Sequence, residues 1–533
     1  MLNKEIKFDT EARVAIKNGM DKVADAVKST LGPQGRCVVI GDWDNGLPHV
    51  TKDGVTVAKS IQLSNNFENI GCHLIREASL KSADICGDGT TSTVVLAQAF
   101  CQQIEEDLAN YKVNIPEYAE GMMIATMEVS DKLKKESIKV DDESLVHVAT
   151  TSANNNESIG GLIGNVYKKV GKDGIITVDY SKNTETSVET ISGMQFENGF
   201  LASHFVTDER KNQCVLENPY IFISDQKVLR TKDIVNILEP IAKNGQSVLL
   251  LAEEFDSEVL ENLKLNKLQG ILKCCAVKAP SFGDYRKEVL EDIAILTNGT
   301  AVTYDSGIEV YDATFEMLGK AQKVVVTKDD CTIIGGAGSE DKINERVAVI
   351  RSLLKVEEES SNPSDFLKKF YAGRIAKLIG GIAVIHVGGV TESEMKERKD
   401  RIDDAVCAVK AAINGGIVIG GGMSFYNAMM AIKTKDAKTS KQLGYNCVVR
   451  NIDAVVKQIM ENAGFSYDEL KARFTKNKGF NAATLKIEPL MKAGVINPYK
   501  CDKISLENAV SVAETFLKLG CVVANEPINQ LVI

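Results

Sequence analysis

The chain has 533 residues, of which 44% are apolar and 26% charged, and its net charge is −10. At ~150 residues per domain this length accommodates about three to four domains, and the composition excludes a disordered chain. The acidic balance argues against nucleic-acid or anionic-membrane binding, because neutralising phosphates needs a basic face. Aromatic residues make up 6%, with the single Trp43, so base-stacking platforms are not advertised.

The twelve cysteines include no C-x-x-C pair, and most lie inside apolar runs. That pattern predicts buried thiols in a reducing compartment rather than a disulfide framework. The first residues, Met1 to Lys7, carry no apolar core of a secretory signal. No run approaches the ~18 apolar residues of a membrane span. The expected location is therefore the cytoplasm. His49, His73, His147, His204 and His386 are scattered without ligand spacing, which gives little support to a zinc site or a histidine triad.

In chain order, Glu11 to Thr30 carries a helical apolar stripe that stops at Leu31-Gly32-Pro33-Gln34-Gly35. Cys37–Ile40 and His49–Thr51 are short strand candidates. Asn66 to Ile85 is helical and ends at Gly87-Asp88-Gly89, and Thr90 to Ile104 opens a further helix. Two more helices are expected up to Lys135. The middle alternates helices with the β-rich runs Gly174–Val178, Val248–Leu251, Ile271–Val277 and Lys323–Val326, an α/β unit of roughly 190 residues by strand–helix spacing. Helices return at Thr391 to Ala412, Ser424 to Lys433 and Asn446 to Asn462. This order predicts a multidomain fold, α and α/β, in which the first and last segments build one domain around an inserted α/β unit. Gly193 and Gly380-Gly381 are candidate hinges, since glycine tolerates large backbone excursions; on spacing alone, glycines that merely end strands are equally favoured.

Three glycine clusters could hold phosphates: Gly32 to Gly35, Gly87-Asp88-Gly89-Thr90-Thr91-Ser92-Thr93, and Gly420-Gly421-Gly422. The second is the sharpest. Unpaired amides at a helix start favour an anion, the glycines allow close approach, and Thr90, Thr91 and Thr93 offer hydroxyls. Asp88 would place a hard oxygen ligand for Mg2+ beside the phosphates. Taken alone, a capped turn is the more common meaning of such a segment. No P-loop or kinase signature is present. Thr51-Lys52-Asp53-Gly54 reads as a polar turn whose Lys52 could reach a phosphate. Thr391-Glu392-Ser393-Glu394 is a capping box. Asp403 and Asp404 sit mid-helix beside an apolar stripe, where a carboxylate could act as a general base on water. Within Lys232 to Lys243, Ile234, Ile237 and Ile241 suffice for one core face, leaving Val235 and Leu238 as surplus apolar surface. Ser257 to Leu268 repeats the pattern. Two such helices would form a groove for non-native segments, or else a doubly buried pair.

Together these segments resemble the group I chaperonins, the GroEL type. The resemblance runs over essentially the whole chain and is carried by Thr30 to Gly35, Thr51 to Val55, Phe67 to Gly71, Gly87 to Thr91, Gly193 to Phe196, Val277 to Asp284, Gly380 to Val384 and Gly420 to Gly422. It implies an ATP-dependent chaperone in a homo-oligomeric ring, heptameric in the family, that binds unfolded or partly folded proteins and takes a co-chaperonin lid. The implied domains are equatorial (1–135 and 415–533), intermediate (136–191 and 382–414) and apical (192–381). The implied cofactors are ATP and Mg2+, with K+ as a further candidate.

Residue by residue, the resemblance implies Asp404 and Asp53 as catalytic and Asp88 as the metal ligand. The nucleotide would be held by Thr30, Leu31, Gly32, Pro33, Lys52, Gly54, Asp88, Gly89, Thr90, Thr91, Ser92, Gly421, Asn481, Ala482, Ala483 and Asn497. Clients would meet Phe200, His204, Phe205, Val235, Leu238, Leu260, Lys264 and Leu265. Hinges would lie at Gly193, Gly381 and Gly416. The chain departs from the family in several places. Asn497 stands for an acidic nucleotide contact, His204 for an aromatic, Lys264 for an apolar groove residue and Lys139 for a hinge proline. Phe465-Ser466 stand where an acidic ring–ring contact is typical, and Ile528 to Ile533 replace a Gly/Met-rich tail. Such drift fits a divergent, virus-encoded member acting in host cytoplasm. A holdase or assembly scaffold of the same fold, indifferent to ATP, is the alternative reading; a small-molecule kinase lacks any acceptor-site signature.

Overall fold

Two pairs of glycines decide how closely the helices of the largest core can cross. The computed structural model describes residues 4–41, 48–153, 155–171, 174–181, 183–209, 211–359, 364–379 and 382–525. Residues 1–165 and 396–533 form one unit, and residues 166–395 a second. In the first unit the helices Asp9–Lys28 and Asn66–Cys86 meet at Gly19 and Gly71: a Cβ on Gly19 would lie 1.8 Å from the Glu68 carbonyl oxygen, and one on Gly71 2.1 Å from that of Ile16. The helices Ile115–Glu136 and Ser440–Asn451 meet likewise at Gly121 and Gly444, where a Cβ would stand 2.0 Å from the carbonyl oxygens of Lys441 and Tyr118. Real side chains do not fit at such distances, so backbones rather than side chains are in contact.

Around these crossings lies one apolar cluster that includes Ile16, Met20, Ile75, Phe100, Tyr118, Met122, Phe425 and Phe516. The helices Thr90–Asn110 and Tyr499–Leu517 complete it. An antiparallel pair, Lys4–Phe8 with Cys521–Asn525, joins the two ends of the described chain. Three short antiparallel pairs sit at its margins: Val38–Ile40 with His49–Thr51, Ile417–Ile419 with Ile496–Pro498, and Lys478–Asn481 with Lys486–Pro489.

The second unit is built on a seven-stranded mixed sheet. Its path runs Lys273–Lys278, Ser247–Ala252, Tyr220–Ile223, Gly319–Val326, Asp330–Gly336, Gly193–Glu197, and Cys214–Glu217 also pairs with Gly319–Val326. Every residue of Ser247–Ala252 is buried, as expected of a central strand covered on both faces. A separate three-stranded sheet places Ile382–Val387 between Ile175–Tyr180 and Ser187–Ile191. Asp292 is fully buried and receives Arg374 through two guanidinium bonds of 2.7 and 3.0 Å and Arg346 at 2.7 Å, which pins three helices together.

The expected elements are present with four differences. One helix, Ile115–Glu136, follows Thr90–Asn110, in place of two shorter ones. The run Asn446 to Asn462 is split into Ser440–Asn451 and Ala454–Asn462 by a turn at Ile452-Asp453, where buried Asp453 accepts the Tyr467 hydroxyl at 2.7 Å. The helix expected from Lys232 starts at Val235, after a 3-10 turn over Thr231–Asp233. The hairpin Lys478–Asn481/Lys486–Pro489 was not anticipated. Gly193 begins a strand and is paired with Ile334, and a Cβ there would stand 2.4 Å from Ile382 Cδ1. Gly416 follows the helix Glu392–Gly415 with φ of 83°. Gly380 and Gly381, like Trp43 and Ile528 to Ile533, lie outside the described residues.

Adding one methyl group at a helix crossing tests the packing. Gly444→Ala is expected to destabilise the first unit by about 1–3 kcal/mol, as overpacking does, while an exposed control, Gly520→Ala, which meets nothing within 4 Å, stays near the parent. Denaturant unfolding followed by circular dichroism reads both.

Candidate functional site

Within the first unit, four segments converge on the start of the Thr90–Asn110 helix. Gly87 and Gly89 both adopt left-handed backbone, with φ of 65° and 80°, and so turn the chain sharply between two helices. The first-turn amides of Thr90, Thr91 and Ser92 have no acceptor inside the helix. Thr93 differs from expectation: its side chain is fully buried and its hydroxyl is spent on the Gly89 carbonyl and Ser82. Asp88 Oδ1 accepts the Gly89 amide at 2.6 Å.

The Thr51–Gly54 turn reaches the same place. A Cβ on Gly54 would lie 2.4 Å from Thr91 Oγ1. Lys52 Nζ donates to the Pro33 carbonyl at 3.0 Å, tying this turn to Leu31-Gly32-Pro33. The carbonyls of Lys28 and Leu31 both accept Asn462 Nδ2, and Thr30 is buried with its hydroxyl on Val27. Asp53 is the N-cap of the Gly54–Ser60 helix: its carboxylate accepts the Val55 and Thr56 amides at 3.1 and 2.8 Å and the Thr56 hydroxyl at 2.6 Å.

The Glu392–Gly415 helix closes the group. A Cβ at Gly87 would stand 2.4 Å from Cys407 Cβ and 2.8 Å from the Asp404 carbonyl oxygen. Asp404 is therefore seated against the Gly87–Gly89 turn. Burial pushes its carboxyl well above the usual carboxylate range, and the charges of Asp53, Asp88, Asp403 and Asp400 push it further. Burial also raises Asp88, against the opposing effect of the Gly89 amide.

A second group of predicted residues lies around the triple glycine. The pair Ile417–Ile419/Ile496–Pro498 sets Val418 opposite Asn497, and Gly420 donates to the Val495 carbonyl at 2.9 Å. Gly421 has φ of 65°, and a Cβ there would lie 3.8 Å from the Phe480 carbonyl oxygen. Next to Phe480, buried Asn481 accepts the Ala483 amide and donates to Glu488. Asn497 Nδ2 donates to Asp502 at 3.0 Å, and Ser424 donates to the other oxygen of the same carboxylate at 2.5 Å. Asp502 and Ser424 were not anticipated, since neither belongs to a glycine cluster. Burial raises the Asp502 carboxyl to about 6.

The residues fit Mg2+. The Asp404 carboxyl feels the charges of both Asp53 and Asp88, and Asp404 and Asp88 are desolvated, a charge set that a divalent cation would relieve. Among the described residues no three His, Cys, Asp or Glu side chains form a cage of their own. Mg2+ takes one or two carboxylates and completes its shell with phosphates and water.

The sequence profile of the TCP-1/cpn60 chaperonin family matches residues 23–527. The chain belongs to the TCP-1/cpn60 chaperonin family. Its fold is that of the chaperonin gp146 from bacteriophage EL of Pseudomonas aeruginosa, crystallised in the presence of ATP-BeFx. One crystal form is 23% identical over 99% of this chain and 100% of that one, with a TM-score of 0.68. A second form gives 22% identity over 98% and 99%, with a TM-score of 0.62.

In the second unit of this chaperonin, the expected groove residues divide. Phe205 is fully buried and Leu238 is 9% exposed, so both belong to the core, which corrects the surplus-face reading for Leu238 and the client role that the resemblance implied for Phe205. The segment around Ser203–Phe205 packs against the Ser257–Leu268 helix, held by Lys267 Nζ bonds of 3.0 and 3.1 Å to the His204 and Val206 carbonyls, and the helix of Leu238 packs on the Ser247–Ala252 strand and the Phe315–Met317 turn. Phe200, His204, Val235, Leu260 and Lys264 are half-buried, and Lys264 pairs with Glu261 at 3.1 Å. Burial and the Lys264 charge lower the His204 imidazole, which keeps it neutral near neutral pH. Leu265 and Leu268 of the second surplus-face helix are exposed, and so are Leu201 and Ile271, which were not among the expected client residues.

Asp53 can be tested apart from any ligand. Asp53→Ala should cost about 1 kcal/mol through the lost cap, whereas Asp53→Asn, which still caps, should stay within about 0.5 kcal/mol. Paired thermal melts of the two variants check this.

Proposed function

We propose that this chaperonin hydrolyses ATP and uses the cycle to bind and release non-native polypeptides. One observation carries the reading: Asp404, from the Glu392–Gly415 helix, is lodged against the turn that presents Asp88 and the free amides of Thr90 to Ser92. Helix amides and glycine turns suit phosphates, and a desolvated carboxylate on the far side suits water activation.

In this reading Asp88 would hold Mg2+, which when bound neutralises phosphate charge. The Leu31-Gly32-Pro33 turn, Lys52, Gly54 and the amides from Gly89 to Ser92 position the phosphates. Gly421, Asn481 to Ala483 and Asn497 face the base and ribose. Asp404 orients a water toward the γ-phosphate and takes its proton as the oxygen–phosphorus bond forms and the bond from that phosphorus to the β–γ bridging oxygen breaks, leaving ADP and inorganic phosphate; a cation beside Asp88 would favour the ionised form of Asp404 that this needs. Asp53 acts through the Gly54–Ser60 cap, since its oxygens are engaged there. K+ is a further candidate cation.

The functional domains are equatorial (1–135 and 415–533), intermediate (136–191 and 382–414) and apical (192–381), with hinges at Gly193, Gly381 and Gly416. The client surface is the exposed edge around Leu265, Leu268 and Ile271, flanked by Phe200, Leu260, Val235, His204 and Lys264. Apolar burial is non-directional, so binding there is permissive and weak per contact. Nucleotide can drive client release only through different affinity for two states of the protein. A homo-oligomeric ring, heptameric as the group I resemblance implies, with a co-chaperonin lid and a host-cytoplasm setting completes the proposal.

The second reading, an ATP-indifferent holdase, would use the same client surface without a nucleotide cycle. Asp404→Ala separates the two. The ATPase reading expects nucleotide affinity within a few-fold of the parent and turnover reduced by about 10²-fold or more; undiminished turnover refutes the assigned base. Suppression of aggregation that ignores ATP in the parent chain supports the holdase.

For the client surface, Leu265→Ser with Leu268→Ser should weaken capture of an unfolded test protein by about 1 kcal/mol per site, while Phe205→Ser should act through unfolding of the second unit. Light-scattering aggregation assays alongside melting curves distinguish these.

A further inference from the structure

Asp502 is a buried carboxylate, 5% exposed, in the first turn of the Tyr499–Leu517 helix. Both of its oxygens are engaged: Oδ2 accepts the Ser424 hydroxyl at 2.5 Å and Oδ1 accepts Asn497 Nδ2 at 3.0 Å. Ser424 lies just past Gly420-Gly421-Gly422, and Asn497 lies on the strand beside Ile417–Ile419. Asp502 thus clamps the triple-glycine turn from two sides.

The same helix also touches the phosphate end. Ser505, one turn on, donates to the Gly89 carbonyl at 3.0 Å. A Cβ on Gly89 would lie 2.3 Å from Ser505 Oγ and 3.4 Å from the Cys501 carbonyl oxygen. Among the described residues, the groups acting on the Asp502 carboxyl are Ser424, Asn497 and the like charge of Asp88, with no cationic side chain among them. Two neutral donors satisfy its hydrogen bonds and leave its charge unbalanced, next to a second carboxylate. A buried anion without a counter-ion is costly unless something positive binds nearby.

We propose that Asp502 is a positioning residue of the nucleotide site, holding the Gly420–Gly422 turn through Ser424 and Asn497 and lending the Asp88 turn a second negative charge that raises its affinity for Mg2+. The proposal rests on the nucleotide-site reading above. Hydrogen-bonded partners of metal ligands change metal affinity by about 10–100-fold when altered; Asp502 acts on Asp88 by charge rather than by such a bond, so the lower end of that range is expected.

The test is the Mg2+ concentration at half-maximal ATP binding, measured by calorimetry on the full-length protein, together with a melting curve for each variant. Asp502→Asn keeps the shape and the hydrogen bonds, since the Asn497 amide can turn over, and removes the charge. The expected result is a midpoint raised about ten-fold or more with little change in melting temperature. The double variant Asn497→Asp/Asp502→Asn puts the charge on the other side of the same hydrogen bond and should bring the midpoint back toward the parent value. An unchanged midpoint in Asp502→Asn overturns the proposal, and so does a lower melting temperature with an unchanged midpoint. A double variant as impaired as the single one also overturns it. If the parent chain binds no ATP at any Mg2+ concentration, the nucleotide-site reading falls and this inference with it; ATP binding by the parent with an indifferent Asp502→Asn sinks the inference alone.

Discussion

The absence of a side chain at residue 87 is the constraint on which the site depends. Gly87 ends one helix in left-handed backbone, and the Glu392–Gly415 helix lies so close that even a methyl group there would collide with Cys407 and the Asp404 backbone. That contact brings together carboxylates more than 300 positions apart in the chain. A larger residue at 87 would push the Asp404 helix away and undo the grouping, while leaving the surrounding apolar core intact.

The grouping is unfavourable on its own. Asp404, Asp88 and Asp502 are all held above the ordinary carboxylate range, each chiefly by burial. Isolated charges of this kind cost several kcal/mol when desolvated, and nothing in the packing of the helices requires them. Natural sequences tolerate such local conflict mainly where function needs it. The backbone is specialised at the same places: Gly87, Gly89, Gly421 and Gly422 all take left-handed conformations, which glycine adopts without steric penalty. Elsewhere the rules are obeyed: helix crossings use glycine, strands bury apolar residues, and the buried Asp292 is matched by two arginines.

Much of this was readable from residue order, for reasons that differ by element. Helices such as Asp9–Lys28 and Asn66–Cys86 announce themselves through a long apolar stripe bounded by Gly or Pro, and the Ser247–Ala252 strand through an unbroken apolar run. The glycine turns at 32, 87 to 89 and 420 to 422 were legible because only glycine serves those backbones. The family resemblance then singled out Asp404 from Asp403, which periodicity alone could not do. Asp502 was invisible because its partners, Ser424 and Asn497, are not neighbours in any motif, and its importance exists only once strand pairing places them together. Leu238 reads as surplus from the helix alone because an apolar residue looks the same whether a neighbouring element covers it or water does; its helix packs on the Ser247–Ala252 strand and the Phe315–Met317 turn, while Phe205 is buried in the segment that Lys267 anchors. The break before Ala454 is not signalled by Gly or Pro, so the apolar stripe reads straight through it.

The most direct measurement is a density map of the protein with Mg2+ and an ATP transition-state analogue. The account predicts the terminal phosphate mimic between Asp88 and Asp404, with the metal on Asp88 and the base beside Asn481 to Ala483. Nucleotide bound elsewhere, or an empty Gly87–Gly89 turn at saturating ligand, would contradict it.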